Sequence, residues 1–124
     1  MSATPTPPPP ALRPYLTARH NLLWDEANTF AAEHVAPRAA RMEAAPGRVE
    51  RKLAELMAAR GWFAITVPAA YGGLGAGHVA KTILIHRIAR VSAAAAAILQ
   101  ATLIPVIGVV ATLRERLDTP LVTT

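Results

Sequence analysis

The 124-residue sequence contains no cysteine. A chain without cysteine has neither a disulfide framework nor a cysteine-based metal site. Its four histidines also lack any pair at the i, i+4 spacing of a helical metal site; they are His20, His34, His78 and His86. We therefore expect no bound metal.

Carboxylates are absent from the whole stretch between Glu55 and Glu115, where every charged residue is basic. Six of the eight acidic residues precede residue 60 and alternate with basic ones, which is typical of solvated helix faces. Paired carboxylates for general acid–base catalysis are thus missing from the most apolar half. The spacing also offers no Ser-His-Asp or Cys-His set.

The net charge of +5 raises the question of a nucleic-acid partner. The basic residues are dispersed, and no basic stripe alternates with aromatic residues. We therefore expect no nucleic-acid binding.

The two ends of the chain differ from its middle. Proline at position 5 and at 7–10 is incompatible with a helix or a central strand, which predicts a disordered or polyproline tail over residues 1–11. This tail lacks the charged region and apolar run of a signal peptide, so the cytoplasm is the default location. Residues 119–124 are predicted to fray, which leaves one domain over residues 12–118.

The apolar periodicity predicts an all-α fold, an orthogonal bundle of about five helices. Thr17 is a candidate cap for the first helix, and Pro37 is expected to kink or end it. Ser92 is a candidate cap further along, and Pro105 fits a first helical turn better than a helix interior. The predicted helices run from about Pro14–Thr17 to Glu43, Arg48–Arg60, His78–Val91, Ala93–Ile104 and Val106–Leu117.

A glycine-rich stretch, residues 61–77, separates the helical segments. Gly61 is expected to end a helix with a positive φ, and residues 62–67 are predicted to be extended. Pro68 then leads into a tight turn formed by Tyr71, Gly72, Gly73 and Gly75. The glycines match neither G-x-G-x-x-G nor the P-loop, so the stretch is interpreted as a connector between helices.

Residues 91–113 carry no charge and are long enough to span a bilayer. Gln100, Pro105, Gly108 and a run of alanines oppose insertion, because alanine is only weakly hydrophobic. We expect no membrane span. The segment nevertheless has to be covered by protein or lipid.

Two motifs carry a family resemblance. Residues 61–75 read Gly-x-x-x-Ile-Thr-Val-Pro-x-x-Tyr-Gly-Gly-Leu-Gly and precede an apolar helix over 79–91. Upstream, residues 30–40 contain Val-Ala-Pro-Arg-Ala. In this order and separation they resemble the N-terminal domain of the acyl-CoA dehydrogenases, over roughly residues 12–117.

The resemblance implies that FAD binding and catalysis belong to domains other than the N-terminal one. In that family the N-terminal domain is helical, whereas a middle β-domain and a C-terminal helical domain hold FAD and the C-terminal half supplies the catalytic glutamate. This chain ends before either domain, so we expect no cofactor bound by it alone and FAD only through a partner chain. The resemblance assigns the acyl-pocket wall to Ala96, Leu99, Gln100 and Leu103.

One departure from the family pattern is the pair His86-Arg87, where the family usually has Glu-Glu. It is interpreted as an altered surface or, alternatively, as a general base at His86. No catalytic residue is otherwise expected.

The favoured function is a stand-alone relative of this domain that forms an acyl-pocket wall or interaction subunit of a flavin-dependent acyl-CoA oxidoreductase. The alternatives are a cofactor-free pocket protein that binds or isomerises an apolar metabolite, with His86 or His34 as base, and an inactive gene fragment. Excess apolar surface on residues 78–117, with Ile88 and Leu103 in it, predicts a homo-oligomer or a partner carrying the missing flavin domains.

Overall fold

The computed structural model describes residues 6–45, 47 and 50–118. For residues 117 and 118 it describes the backbone only. Within these residues the chain forms helices and turns and no strand, which confirms the all-α prediction. The helices are α1 (Ala18–Phe30), α2 (Ala36–Ala44), α3 (Arg51–Ala59), α4 (Gly77–Ala89) and α5 (Ala93–Asp118). Of the two predicted ends, residues 1–11 and 119–124, only residues 6–11 are described. The predicted domain boundaries at residues 12 and 118 therefore stay predictions.

The start of α1 is fixed by its cap. The Thr17 hydroxyl accepts a hydrogen bond from the His20 backbone N–H at 3.2 Å, and His20 Nδ1 accepts the Thr17 N–H at 3.1 Å. Two backbone donors that a helix N-terminus leaves unpaired are thereby satisfied. The cap predicted at Thr17 is confirmed.

Pro37 neither ends the first helix nor leaves a break. A π-helical turn, Ala31–Val35, joins α1 to α2, and the Ala36 N–H bonds to the Ala31 carbonyl oxygen. Pro37 lies in the first turn of α2, where its missing N–H is tolerated. The Arg38 Nη1 donates to the His34 carbonyl oxygen at 2.8 Å, which satisfies an acceptor beside the proline.

The core lies between α1 and α4 and is closed by α3, α5 and residue 62. Phe30 packs edge-on against Trp62 with the ring centres 4.6 Å apart. Arg41 in α2 binds the Glu50 carboxylate through two bonds of 2.8 and 2.9 Å, which ties α2 to the start of α3. The fully buried large side chains include Phe30, Val35, Leu53, Met57, Trp62, Ile65, Leu84, Ile88, Leu99 and Leu103.

The prediction of extended backbone after Gly61 is wrong. Trp62–Ala64 is a 3₁₀ turn, and Ile65 follows with helical backbone angles. The reason is burial, because Trp62 and Ile65 are each 1% exposed. Residues three apart share a side in a 3₁₀ turn but point to opposite faces of a strand, so only the turn buries both.

The prediction that Pro105 separates two helices is also wrong. α5 continues through Pro105 as one 26-residue helix. A proline in a helix removes the bond to the carbonyl four residues earlier, here Ala101. Both residues are exposed, so the freed carbonyl faces solvent rather than the core, and the helix can continue.

α5 is long and apolar enough over Ala93–Arg116 to cross a bilayer, although only 22% of its most apolar window is buried in the fold. One such helix is weak evidence for a membrane protein, because core helices of soluble proteins pass the same test. The absence of a membrane span therefore stays a prediction.

Candidate functional site

The backbone N–H groups of the glycine-rich loop donate hydrogen bonds to carbonyl oxygens of the same loop. The Gly75 N–H donates to the Val67 carbonyl oxygen at 2.8 Å, and the Leu74 N–H to that of Ala64 at 3.0 Å. Gly72, Gly73 and Ala76 also donate to carbonyl oxygens within residues 65–69. Five consecutive amides are therefore engaged.

These contacts decide whether the loop fits a dinucleotide. A phosphate cradle needs free backbone N–H groups and room for the phosphate. At Gly73 a Cβ would lie 2.1 Å from the Val67 carbonyl oxygen, so the close approach that this glycine permits is to the chain's own backbone. The loop does not fit the phosphates of FAD, and it serves as the connector that the sequence predicted.

The backbone conformations of the predicted turn residues show which of them require glycine. Gly61 has φ +75° and ends α3, as predicted, and Gly72 and Gly75 are also left-handed, at +87° and +59°. Gly73 does not have a left-handed backbone conformation. Glycine is needed there because a Cβ would collide with the Val67 backbone. Pro68 accepts from Tyr71 N–H and opens the turn.

The residues assigned to an acyl-pocket wall lie on the buried half of α5. Ala96, Leu99 and Leu103 are at most 5% exposed and pack into the core. Gln100 is half-buried, and its Oε1 is buried without a hydrogen-bond partner among the described residues. A buried acceptor without a donor costs free energy, so it is a candidate ligand contact. The pocket role of these four residues stays a prediction.

The histidine candidates are not assembled into a catalytic set. His86 is exposed, and its ring centre lies 5.9 Å from that of Trp24 with the two rings tilted by 39°. The His86 pKa is lowered by partial burial, then by Arg87 and Arg90. His34 lies 5.0 Å from the Phe30 ring with its Nε2 3.9 Å from a Glu33 oxygen. Within the described ranges, no three His, Cys, Asp or Glu residues lie together as metal ligands would.

Arg87 is a buried cation that the sequence analysis did not identify. It is 7% exposed, its Nε donates to Asn28 Oδ1 at 2.7 Å, and its guanidinium lies over the Trp24 ring. Burial, then Arg90, lowers the Arg87 pKa. The available signal was its position, because Arg87 follows Ala80, Ile83 and Leu84 at helical spacing on the buried side of α4.

The far half of α5 is apolar and uncovered. Leu103 is its last buried residue among those whose side chains are described, and residues 111–116 are all exposed. Ile104, Val109 and Leu113 are 58%, 57% and 50% exposed. Ile88 and Leu103, which were expected on an association surface, are instead fully buried in this chain's own core.

Comparison with known proteins agrees with this all-helical architecture. The family model for the acyl-CoA dehydrogenase N-terminal domain matches residues 17–113. A relative described as "Probable acyl-CoA dehydrogenase fadE25", from Mycobacterium leprae (strain TN), is 41% identical over 83 residues, which are 67% of this chain. The aligned part is 21% of that relative, and no solved structure matches. The chain belongs to the acyl-CoA dehydrogenase family and corresponds to its N-terminal domain.

Proposed function

We propose that this chain is a helical subunit of a flavin-dependent oxidoreductase acting on the CH–CH bond of acyl-CoA. Family membership supports the reaction class, and the unpartnered Gln100 Oε1 supports a contact with the substrate or with a partner. The backbone amides of the glycine-rich loop are engaged within the loop, which supports a flavin site outside this domain, and we propose that a partner chain carries the flavin domains. FAD in the partner chain would be the oxidant, whereas this chain would bind and orient the acyl-CoA substrate.

Gln100 carries the substrate part of this proposal. Its amide oxygen accepts no hydrogen bond within the part of the chain that the structure describes, whereas buried polar groups in proteins are almost always paired. A hydroxyl or amide N–H of a ligand bound against α5 would satisfy it. Leu99 and Leu103 face the core, so their role is to hold the helix in place beneath Gln100.

The apolar half of α5 carries the partner part. Ile104, Val109 and Leu113 are each at least 50% exposed, and no charge interrupts the helix before Arg114. Val109 and Leu113 are four residues apart and share a helix face, and exposed apolar surface of this kind marks an interaction site. The relative is about five times as long as its segment that matches this chain, so the partner we propose carries the corresponding remaining domains.

The test is to express the tagged chain in its native cells and to identify what it retains. We expect an acyl-CoA dehydrogenase chain with bound flavin, and we expect the double variant Val109→Asp/Leu113→Asp to lose it. Arg51→Asp on exposed α3 is the matched control and should retain the partner. A chain that is captured alone as a homo-oligomer, or that sediments with membranes, would contradict the proposal.

Gln100 is tested in the recovered complex. Gln100→Met keeps the side-chain length but removes the amide acceptor, so KM for acyl-CoA should rise about tenfold, as expected for a lost hydrogen bond. Flavin content should be unchanged. An unchanged KM would assign Gln100 to the fold instead of the substrate.

A further inference from the structure

A concave site lies between α1 and the loop that follows α3. A cavity of about 230 Å³, open to solvent on one side, is lined by the first turns of α1, the end of α3, the loop after Gly61 and the start of α4. None of the four predicted acyl-wall residues on α5 lines it. The cavity is therefore a different site from the acyl-pocket wall proposed on α5.

The floor of the cavity is apolar. Trp62, Ile65 and Ala80 are each 1% exposed, and Leu23 and Ala76 complete the lining between them. Apolar walls with a few polar groups at the rim are the usual composition of small-molecule sites. Such a floor favours an apolar ligand body over a fully polar one.

The rim is cationic. Arg60 is engaged, because it pairs with Glu26 at 2.9 Å and lies over the Phe30 and Trp62 rings. Arg19 donates to the Leu74 carbonyl oxygen at 2.8 Å and has no carboxylate partner in the described part of the chain. Two guanidinium groups and one carboxylate leave one positive charge at the rim.

His20 adds a neutral donor to the same rim. Its Nδ1 accepts the Thr17 N–H in the cap of α1. In a neutral imidazole the hydrogen must then be on Nε2. The cavity thus combines an apolar floor with an unneutralised guanidinium and an N–H donor.

We propose that this cavity binds a small amphipathic monocarboxylate, with its apolar body on Trp62 and Ile65 and its carboxylate on Arg19. The volume is below the roughly 300–1,000 Å³ of drug-sized sites, so the ligand is limited to about ten non-hydrogen atoms. A ligand of that size binds with a Kd on the order of 0.1–1 mM.

The experiment uses phenylacetate as probe and phenylacetamide as its uncharged analogue, with backbone amide shifts of the full chain as readout. We expect phenylacetate to shift Trp62, Ile65 and Leu74 and to bind about tenfold more tightly than the amide, because an ion-paired hydrogen bond is lost in the latter. Equal affinities, or no binding of phenylacetate at about 10 mM, ten times the weakest expected Kd, would overturn the proposal.

Variants locate the site. Arg19→Gln should weaken phenylacetate binding about tenfold, and Arg19→Lys should restore most of it, because the charge returns. Ala76→Leu should block binding by filling the cavity, with helicity checked by circular dichroism. Arg51→Gln, an exposed arginine of α3, should bind as the wild type does. A loss in Arg51→Gln as large as in Arg19→Gln would mean general charge attraction and would refute the site.

Discussion

The guanidinium carbon of Arg87 lies 4.4 Å from the centre of the Trp24 ring. The aromatic face and one neutral amide, Asn28, are the contacts described for a cation that is 7% exposed. A buried charge without a counter-charge is costly. Arg87 is therefore held by a weak set of partners at the junction of α1 and α4.

Supplying the missing counter-charge should stabilise the fold. Asn28→Asp places a carboxylate where Arg87 Nε now meets the amide oxygen at 2.7 Å, and it removes the 3.3 Å hydrogen bond from Asn28 Nδ2 to the Thr6 carbonyl oxygen. We expect the charged bond to outweigh the long neutral one, so that the free energy of unfolding rises by about 1 kcal/mol at neutral pH. The pKa of the introduced carboxyl group in the folded state would lie below its unfolded value of about 3.9. The gain is then present above that pH and is lost as pH falls through the folded pKa.

A double-mutant cycle isolates this pair. In an Arg87→Gln background, Asn28→Asp should give no gain, because the cation is gone. Urea unfolding of the four chains at neutral and acidic pH measures the coupling. A gain that survives without Arg87 would mean that the carboxylate acts on something else.

Gln100 is predicted to lower the stability of the isolated chain. Its Oε1 is buried and unpaired, a cost of about 1–3 kcal/mol, so Gln100→Met should raise the free energy of unfolding by part of that amount. The comparison variant is Leu99→Ala, which should lose about 2–5 kcal/mol from the same helix. Urea midpoints report both, and a destabilised Gln100→Met chain would show that the amide is satisfied.

Three glycines, Gly73, Gly77 and Gly108, should respond to substitution in different ways. Gly73→Ala meets the Val67 backbone and should cost more than about 3 kcal/mol. Gly77→Ala has open space but φ +86°, so about 1–2 kcal/mol is expected, which makes alanine less tolerable there than its place beside a helix start suggests. Gly108→Ala, in the exposed part of α5, should stabilise by about 0.5–1 kcal/mol.

The free energies of unfolding of the three variants are measured in urea. We expect Gly73→Ala to be the least stable, Gly77→Ala to be intermediate and Gly108→Ala to be the most stable. Gly77 has a positive φ and Gly73 does not, so the cost at Gly73 is steric and the cost at Gly77 is conformational. If Gly73→Ala proved no worse than Gly77→Ala, the packing of the loop on Val67 would be incorrect.

His86 should make stability depend on pH. Its pKa is lowered in the folded chain by burial and by Arg87 and Arg90, so the unfolded chain binds more protons between the folded and the unfolded pKa. Stability therefore falls as pH drops from about 6.5, the ordinary histidine value, through the folded pKa. His86→Gln should show a smaller fall in Tm over this range than the wild type, and identical pH profiles would contradict the assignment.

What the sequence determined by itself is local or compositional. The helical class follows from apolar periodicity, the start of α1 from the Thr17 cap, and the end of α3 from Gly61, because each depends on residues close in the chain. The family followed from two motifs, and the match over residues 17–113 confirms it.

The tertiary structure decided the features that depend on distant contacts. Residues 62–65 turn because Trp62 and Ile65 must both enter one core, although their β-branched and aromatic character favours a strand. Pro105 lies inside a helix because the freed carbonyl faces solvent, which a residue pattern does not reveal. The cavity at Arg19 joins residues from positions 19 to 80, and Arg87 meets Asn28 across 59 positions. Such contacts are set by packing, so no local propensity could predict them.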